Sequence, residues 1–474
     1  MDYEAYDAVG LAELVARREV SADELLQSAL VRLEQRNPTL NAVVIPMFDE
    51  AQASLQAGLP EGRLRGVPFL LKDLGPHYAG ARLSSGSRFF EDFVSDHDSE
   101  LTLRYRRAGL VVFGRSASPE LGLTTTTESS LFGQTRNPWS LEHIAGGSSG
   151  GAASAVAAGI LPGAHASDGG GSIRVPASCC GLFGLKPTRA RVSLAPDLGE
   201  GWSGLSTSHA LTRSVRDSAA LLDAVQGPVP GDPYWAPPPQ APYADEIGRP
   251  PGVLRIALQT QTFSGAETHP DCVLAAADAA RLCADLGHEV EEARLRIDPE
   301  RMAEATSALS GANTLSTLED RARALGRPLA EGDVEPMTWV MVERARSLGA
   351  ADYARALRGM HAIGREVATF FENHDVLLTP TMATPPLRLG SPLALSHTDT
   401  QEHIDCLLPT IGYTQLFNAS GNPAMSVPLF WNEAGLPIGV QFAGRFGDEA
   451  TLFRLAAQLE QARPWGNRRP ARTE

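Results

Sequence analysis

From Gly146 to Ser167 the chain carries no acidic or basic side chain other than His165, and the run GGSSGGAASAVAAGILPGAHAS is built largely from glycine, alanine and serine. A segment this poor in charge has to be buried. A membrane is the wrong place for it: a spanning helix needs about 20 predominantly apolar residues, whereas glycines and Pro162 interrupt this run. What remains is the packed centre of a globular fold, where small residues let backbones approach closely. The flanking chain must supply the large side chains and the covering layers.

The pattern on either side does so. Over residues 7 to 37, LAELVARR and ELLQSALVRLEQR repeat apolar residues at three- and four-residue spacing, and Ser21 with Glu24 makes a capping box between them. Residues 1–60 therefore read as an N-terminal helical cap. From about residue 61, short apolar runs such as VPFLL and GLVVFG alternate with glycines and charged helical turns, which predicts alternating strand and helix. Residues 61–474 read as one α/β domain, with a proline-rich excursion at 228–252 and a helical insertion at about 300–372. The late strands MSVPLF and IGVQFAG should close the same sheet as the middle of the chain. With 474 residues the chain can bury a large core.

The balance of 41 basic against 56 acidic side chains gives a net charge of −15, which repels phosphate backbones and anionic membrane surfaces. Nucleic acid and membrane are thus not expected as partners; a homodimer stays open. The start MDYEAYDAVG lacks the basic and apolar regions of a secretory signal. Cys179, Cys180, Cys272, Cys283 and Cys406 are odd in number and form no C-x-x-C pair, which fits reduced thiols rather than a disulfide framework or a thiolate zinc site. A cytoplasmic protein is the expectation.

Three local features could carry chemistry. In RGVPFLLKDLG, Lys72 ends an apolar run that should be a buried strand, and a lysine in an apolar setting has its pKa lowered enough to act as a general base. In AGGSSGGAASAVAAG, four glycines surround Ser148 and Ser149 at the start of a small-residue helix; no lysine follows in the phosphate-loop pattern, so this is not a nucleotide cradle. In ASDGGGSIRVPASCCG, Gly169, Gly170 and Gly171 leave consecutive N–H groups unscreened before Ser172, as a backbone oxyanion hole requires. Arg174 needs an acid there, and Asp168 is the nearest in sequence.

Together with NPWS (137–140), GLKPT (184–188), VRDSAALLD (215–223), FNASGNPAMSVP and GLPIGVQFAG, these segments resemble the amidase signature family across most of residues 60 to 470. The resemblance implies a single mixed, twisted β-sheet covered by helices on both faces. It also implies an amidohydrolase that cleaves a C–N bond through a serine acyl-enzyme, with no metal or organic cofactor. Carried over, Ser172 is the nucleophile, Ser148 the bridging serine after a cis peptide bond, and Lys72 the base, with the N–H groups of Gly169, Gly170, Gly171 and Ser172 as the oxyanion hole. Many members carry a branched apolar residue where this chain has Gly169, which predicts extra room beside that hole. The run ASDGGGSIR is similar to a subgroup that hydrolyses cyclic amide dimers.

The substrate is expected to be a small, neutral linear or cyclic amide; a carbamate (urethanase activity) or an ester also fits. Trp202, Trp339 and Tyr413 are the aromatic candidates for substrate contact. Three alternatives are weighed: a glutamine-hydrolysing subunit of a tRNA amidotransferase, a non-catalytic binding protein on the same scaffold, and an esterase using one of His209, His269, His288, His361, His374, His397 and His403.

Overall fold

The computed structural model describes residues 2 to 471. Eleven strands build its two principal sheets: β1 (Val43–Pro46), β2 (Pro68–Lys72), β3 (Val111–Ser116), β4 (Gly163–Asp168), β5 (Phe183–Lys186), β6 (Thr207–Thr212), β7 (Arg255–Leu258), β8 (Glu289–Glu292), β9 (Val376–Pro380), β10 (Ala424–Trp431) and β11 (Pro437–Gly444). Eight of them form one mixed sheet in the order β8-β7-β9-β11-β10-β5-β6-β4, and the first three form a small sheet in the order β1-β3-β2. β9 and β11 are buried at every residue, as strands covered on both faces must be.

The late strands do join the middle of the chain. β10 runs antiparallel to β5 with Ala424 opposite Lys186, and to β11. β6 pairs antiparallel with β4 from Thr207 opposite Asp168 to Thr212 opposite Gly163. The two sheets meet where the Lys72 N–H, at the end of β2, donates to His165 Nδ1 on β4 at 3.2 Å. Burial first, and Lys72 second, push the His165 imidazole well below its ordinary pKa; it is therefore neutral and can accept this bond.

Within residues 1–60, Ser21 Oγ accepts from the Glu24 N–H and the Glu24 carboxylate accepts from the Ser21 N–H, so the capping box starts the helix Ala22–Leu40. The segment also contains β1, a four-residue strand that the helical periodicity does not reveal. The small-residue run becomes the helix Gly150–Ala157, all eight residues of which are buried. Helices Pro299–Ala324, Pro336–Arg346 and Ala350–Asn373 occupy the 300–372 region. No helix among the described residues is long and apolar enough to cross a membrane.

Candidate active site

Lys72, Ser148 and Ser172 come from three elements: the fold sets Lys72 against Ser148 and puts Ser148 and Ser172 on the wall of one cavity. Lys72 is the last residue of β2, Ser148 lies in the glycine loop before helix Gly150–Ala157, and Ser172 follows β4. Lys72 Nζ sits 2.7 Å from Ser148 Oγ and 3.0 Å from Ser167 Oγ. The Gly147–Ser148 peptide is cis. Lys72 is fully buried, Ser148 is 2% exposed and Ser172 8%. Burial lowers the Lys72 pKa to about 7, although the Asp168 charge works in the other direction. At neutral pH a large share of this amine is therefore unprotonated.

The turn at 168–173 is held from below. Arg174, fully buried, donates from Nε and Nη2 to both oxygens of Asp168 at 3.0 and 2.9 Å. Asp168 Oδ2 also accepts the Ile173 N–H at 3.1 Å, so one carboxylate spans the glycine turn. Burial alone would raise the Asp168 pKa, but Arg174 and Asn418 outweigh it and keep the carboxyl well below the ordinary range. The rest of the guanidinium is satisfied by Thr414 O, Gln441 Oε1 and Asn418 Oδ1. Thr414 Oγ1 donates to Gly170 O at 2.6 Å, which turns that peptide's carbonyl inward. The N–H groups of Gly169, Gly170, Gly171 and Ser172 have no acceptor among the described residues. Gly171 has φ +142°, and a Cβ there would lie 2.5 Å from Thr414 Oγ1.

The space beside Gly169 is not empty, as the sequence predicts, but filled. A Cβ on Gly169 would meet the Trp202 indole at 2.9 Å; the ring of a residue 33 positions further along the chain occupies the place of the missing side chain. Trp202, Ser203 and Gly204 take φ of 48°, 55° and 85°, a run of left-handed backbone that non-glycine residues seldom adopt. Ser203 Oγ anchors the turn to the helical region, 2.6 Å from Tyr353 Oη and accepting from Asn313 Nδ2 at 2.8 Å.

A cavity of about 620 Å³ opens over this arrangement, lined by Ser148, Ser167, Gly169, Ser172 and Trp202, by the apolar Leu74, Phe90, Phe93 and Leu121, and by Asn313, Thr314 and Thr317. A second cavity of about 500 Å³ lies largely among the helices of the 300–372 region and reaches none of Ser148, Ser167 and Ser172. The structure brings Trp202 to the site but not the other two aromatics. Trp339 packs under Arg346, whose guanidinium carbon is 5.0 Å from the ring centre. Tyr413 is fully buried, with its hydroxyl 2.6 Å from Thr268 Oγ1. Of the seven histidines considered for an esterase, none lines the cavity. Burial raises the Cys179 and Cys180 thiols above their ordinary pKa, so neither is a nucleophile. Sequence reasoning missed Ser167, Thr414 and Asn418; the first lies inside ASDGGGS and the third inside FNASGNP, where a polar residue in a buried motif was the available signal.

A serine under a lysine of lowered pKa, beside a turn of free N–H groups, is the equipment of an acyl-transfer hydrolase. The family model described as "Amidase" matches residues 24–453, and the chain belongs to this amidase signature family. It is 38% identical to the 6-aminohexanoate-cyclic-dimer hydrolase of Paenarthrobacter ureafaciens, covering 98% of this chain and 96% of that protein. A solved 6-aminohexanoate cyclic dimer hydrolase in complex with substrate superimposes with a TM-score of 0.94 at 37% identity, covering 99% of both chains. A bacterial aryl acylamidase of the amidase signature family gives a TM-score of 0.88 at 28% identity, covering 97% of this chain and 96% of that one. The protein is accordingly a hydrolase of non-peptide amide C–N bonds.

Proposed function

We propose that the chain hydrolyses small neutral amides through an acyl-enzyme on Ser172, with Ser148 relaying its proton to unprotonated Lys72. The observation that carries this reading is the 2.7 Å approach of Lys72 Nζ to Ser148 Oγ in a site where burial lowers the amine to about 7. A neutral amine has one lone pair and two N–H groups: the lone pair takes the Ser148 proton while an N–H holds Ser167. As Ser148 takes the proton of Ser172, the Ser172 oxygen attacks the carbonyl, and the N–H groups of the 169–172 turn receive the developing oxyanion. The ammonium on Lys72 then returns its proton through Ser148 to the leaving amine. Water repeats the sequence on the acyl-enzyme.

The cavity favours a neutral, largely apolar acyl portion, because Leu74, Phe90, Phe93, Leu121 and Trp202 are among its walls, with Asp197, Asp320 and Arg321 as its charged lining. Within that class we infer a linear or cyclic amide of the aminohexanoate type, supported by the near-complete overlap with the cyclic-dimer hydrolases. A carbamate places the same carbonyl in the same turn, and an ester needs less protonation of its leaving group, so both belong in the panel. Buried, unpaired thiols at Cys179, Cys180, Cys272 and Cys283 suit a reducing compartment such as the cytoplasm.

The test is hydrolysis of a panel of cyclic and linear amides, aryl amides, carbamates and esters by the wild type and by Ser172→Ala, Ser148→Ala and Lys72→Ala. Loss of amide turnover in all three supports the relay, and the panel ranks the substrates. Full activity in Lys72→Ala would sink it.

A further inference from the structure

We propose that His77, His97 and Asp197 form a binding site for a divalent transition-metal ion at the mouth of the cavity, and that filling it restricts substrate entry. One ligand atom from each of the three lies within 4.8 Å of the others. Two imidazoles and a carboxylate are a donor set suited to zinc and its neighbours, with ion–ligand distances of about 2.0 to 2.2 Å. The side chains must draw inward by an ångström or so to reach those distances; all three stand on loops, with His77 and His97 half-buried and Asp197 exposed. Asp96 and Asp197 offer two negative charges against the two positive charges of the ion.

Two further details mark the cluster as more than a surface ion pair. His97 Nδ1 lies 2.6 Å from Asp96 Oδ1 while its Nε2 lies 2.9 Å from Asp197 Oδ1. A carboxylate on Nδ1 is the usual support of a metal-bound histidine, and an ion held by Nε2 and Asp197 would take the place of the proton now shared between them. His77 stacks on His97 at 4.9 Å between ring centres, and its Nδ1 is buried without any hydrogen-bond partner.

The location gives the site its consequence. His77 and Asp197 both line the cavity that holds Ser148 and Ser172. His77 follows Lys72 by one short loop, and Arg115 Nη1 donates to both Lys72 O and Pro76 O at 3.1 and 2.9 Å, which ties that loop to the strand below. An ion joining the loops at 77, 97 and 197 would tie two segments of the cavity wall, at His77 and Asp197, to each other and to the loop behind them that carries His97.

The experiment is titration of the apo chain with Zn²⁺ and with Co²⁺, read by calorimetry and by the visible absorption of Co²⁺, on the wild type, His97→Ala and Asp96→Asn. One equivalent should bind to the wild type. His97→Ala should abolish that binding, and Asp96→Asn should weaken it about 10- to 100-fold, as loss of such supporting carboxylates does elsewhere. His97 does not line the cavity, so turnover without metal should be unchanged in both variants, while Zn²⁺ should raise KM in the wild type, in Asp96→Asn only at correspondingly higher concentration, and not in His97→Ala. Binding that persists undiminished in His97→Ala, or a filled site with KM unmoved, overturns the proposal. The binding readout does not depend on the lysine–serine relay, so failure of the relay and failure of this site are separable.

Discussion

The floor of the cavity and its mouth are built on opposite principles. On the floor, Asp168, Arg174, Thr414, Asn418 and Gln441 form a closed, buried network in which the guanidinium meets five acceptor atoms. At the mouth, Trp202 rests on a left-handed turn held by two side-chain contacts to the helical region, and His77, His97 and Asp197 stand on separate loops. A network with every member satisfied holds its geometry against small perturbations. The mouth has no such closed network among the described residues: the Trp202 turn is tied back to the body by Arg189 Nε to Gly204 O and by Asn418 Nδ2 to Leu205 O, while His77, His97 and Asp197 bond mainly to one another and to Asp96. The floor can thus keep one reaction while the mouth changes which amide reaches it.

Substitutions should grade along that division. Ser172→Ala should lower kcat by roughly 10⁴-fold or more, because removing a nucleophile leaves the remaining groups little to act through; acyl-enzyme trapping by mass spectrometry should lose its adduct. Arg174→Leu leaves Asp168 buried without its counter-ion and should cost about 3 to 5 kcal/mol, read by urea unfolding, with kcat falling as the turn loosens. Gly169→Ala drives a methyl group to 2.9 Å from the Trp202 ring and should lower kcat/KM by about 10-fold or more. Trp202→Ala should restore part of that loss, so a double-mutant cycle should give a coupling of about 0.5 to 3 kcal/mol. Trp339→Phe, outside the cavity, should move KM by about 2-fold at most. An inverted order, with mouth variants costing more kcat than floor variants, would break the distinction.

Much of the floor is legible in the sequence because its parts are local. Lys72 closes a visible apolar run, the glycines flank Ser148 and Ser172, and the Asp168–Arg174 pair lies within one turn. The mouth is less legible: Trp202 can be named as a candidate aromatic, but where its ring sits depends on tertiary register. Trp202 reaches Gly169 only because β6 runs back along β4 with Thr207 opposite Asp168, and a pairing one residue out would turn the ring away. The reading of empty space at Gly169 failed for this reason: the missing side chain shows locally and the ring that replaces it does not. β1 was hidden by its length, four residues between two helical patterns. His77, His97 and Asp197 come from loops whose proximity no spacing rule encodes.

The central claim is that an unprotonated Lys72 draws the proton through Ser148, and the pH dependence of kcat/KM tests it most directly. Protonated Lys72 cannot accept, so the free enzyme should gain activity as pH rises through the folded value of about 7 and then level off. Substituting Ser167, which holds the amine at 3.0 Å, should shift that limb without removing it. A profile that rises through about 7 and levels off is the predicted result. One that stays flat from about pH 6 to 9 would contradict the assignment of Lys72 as the base.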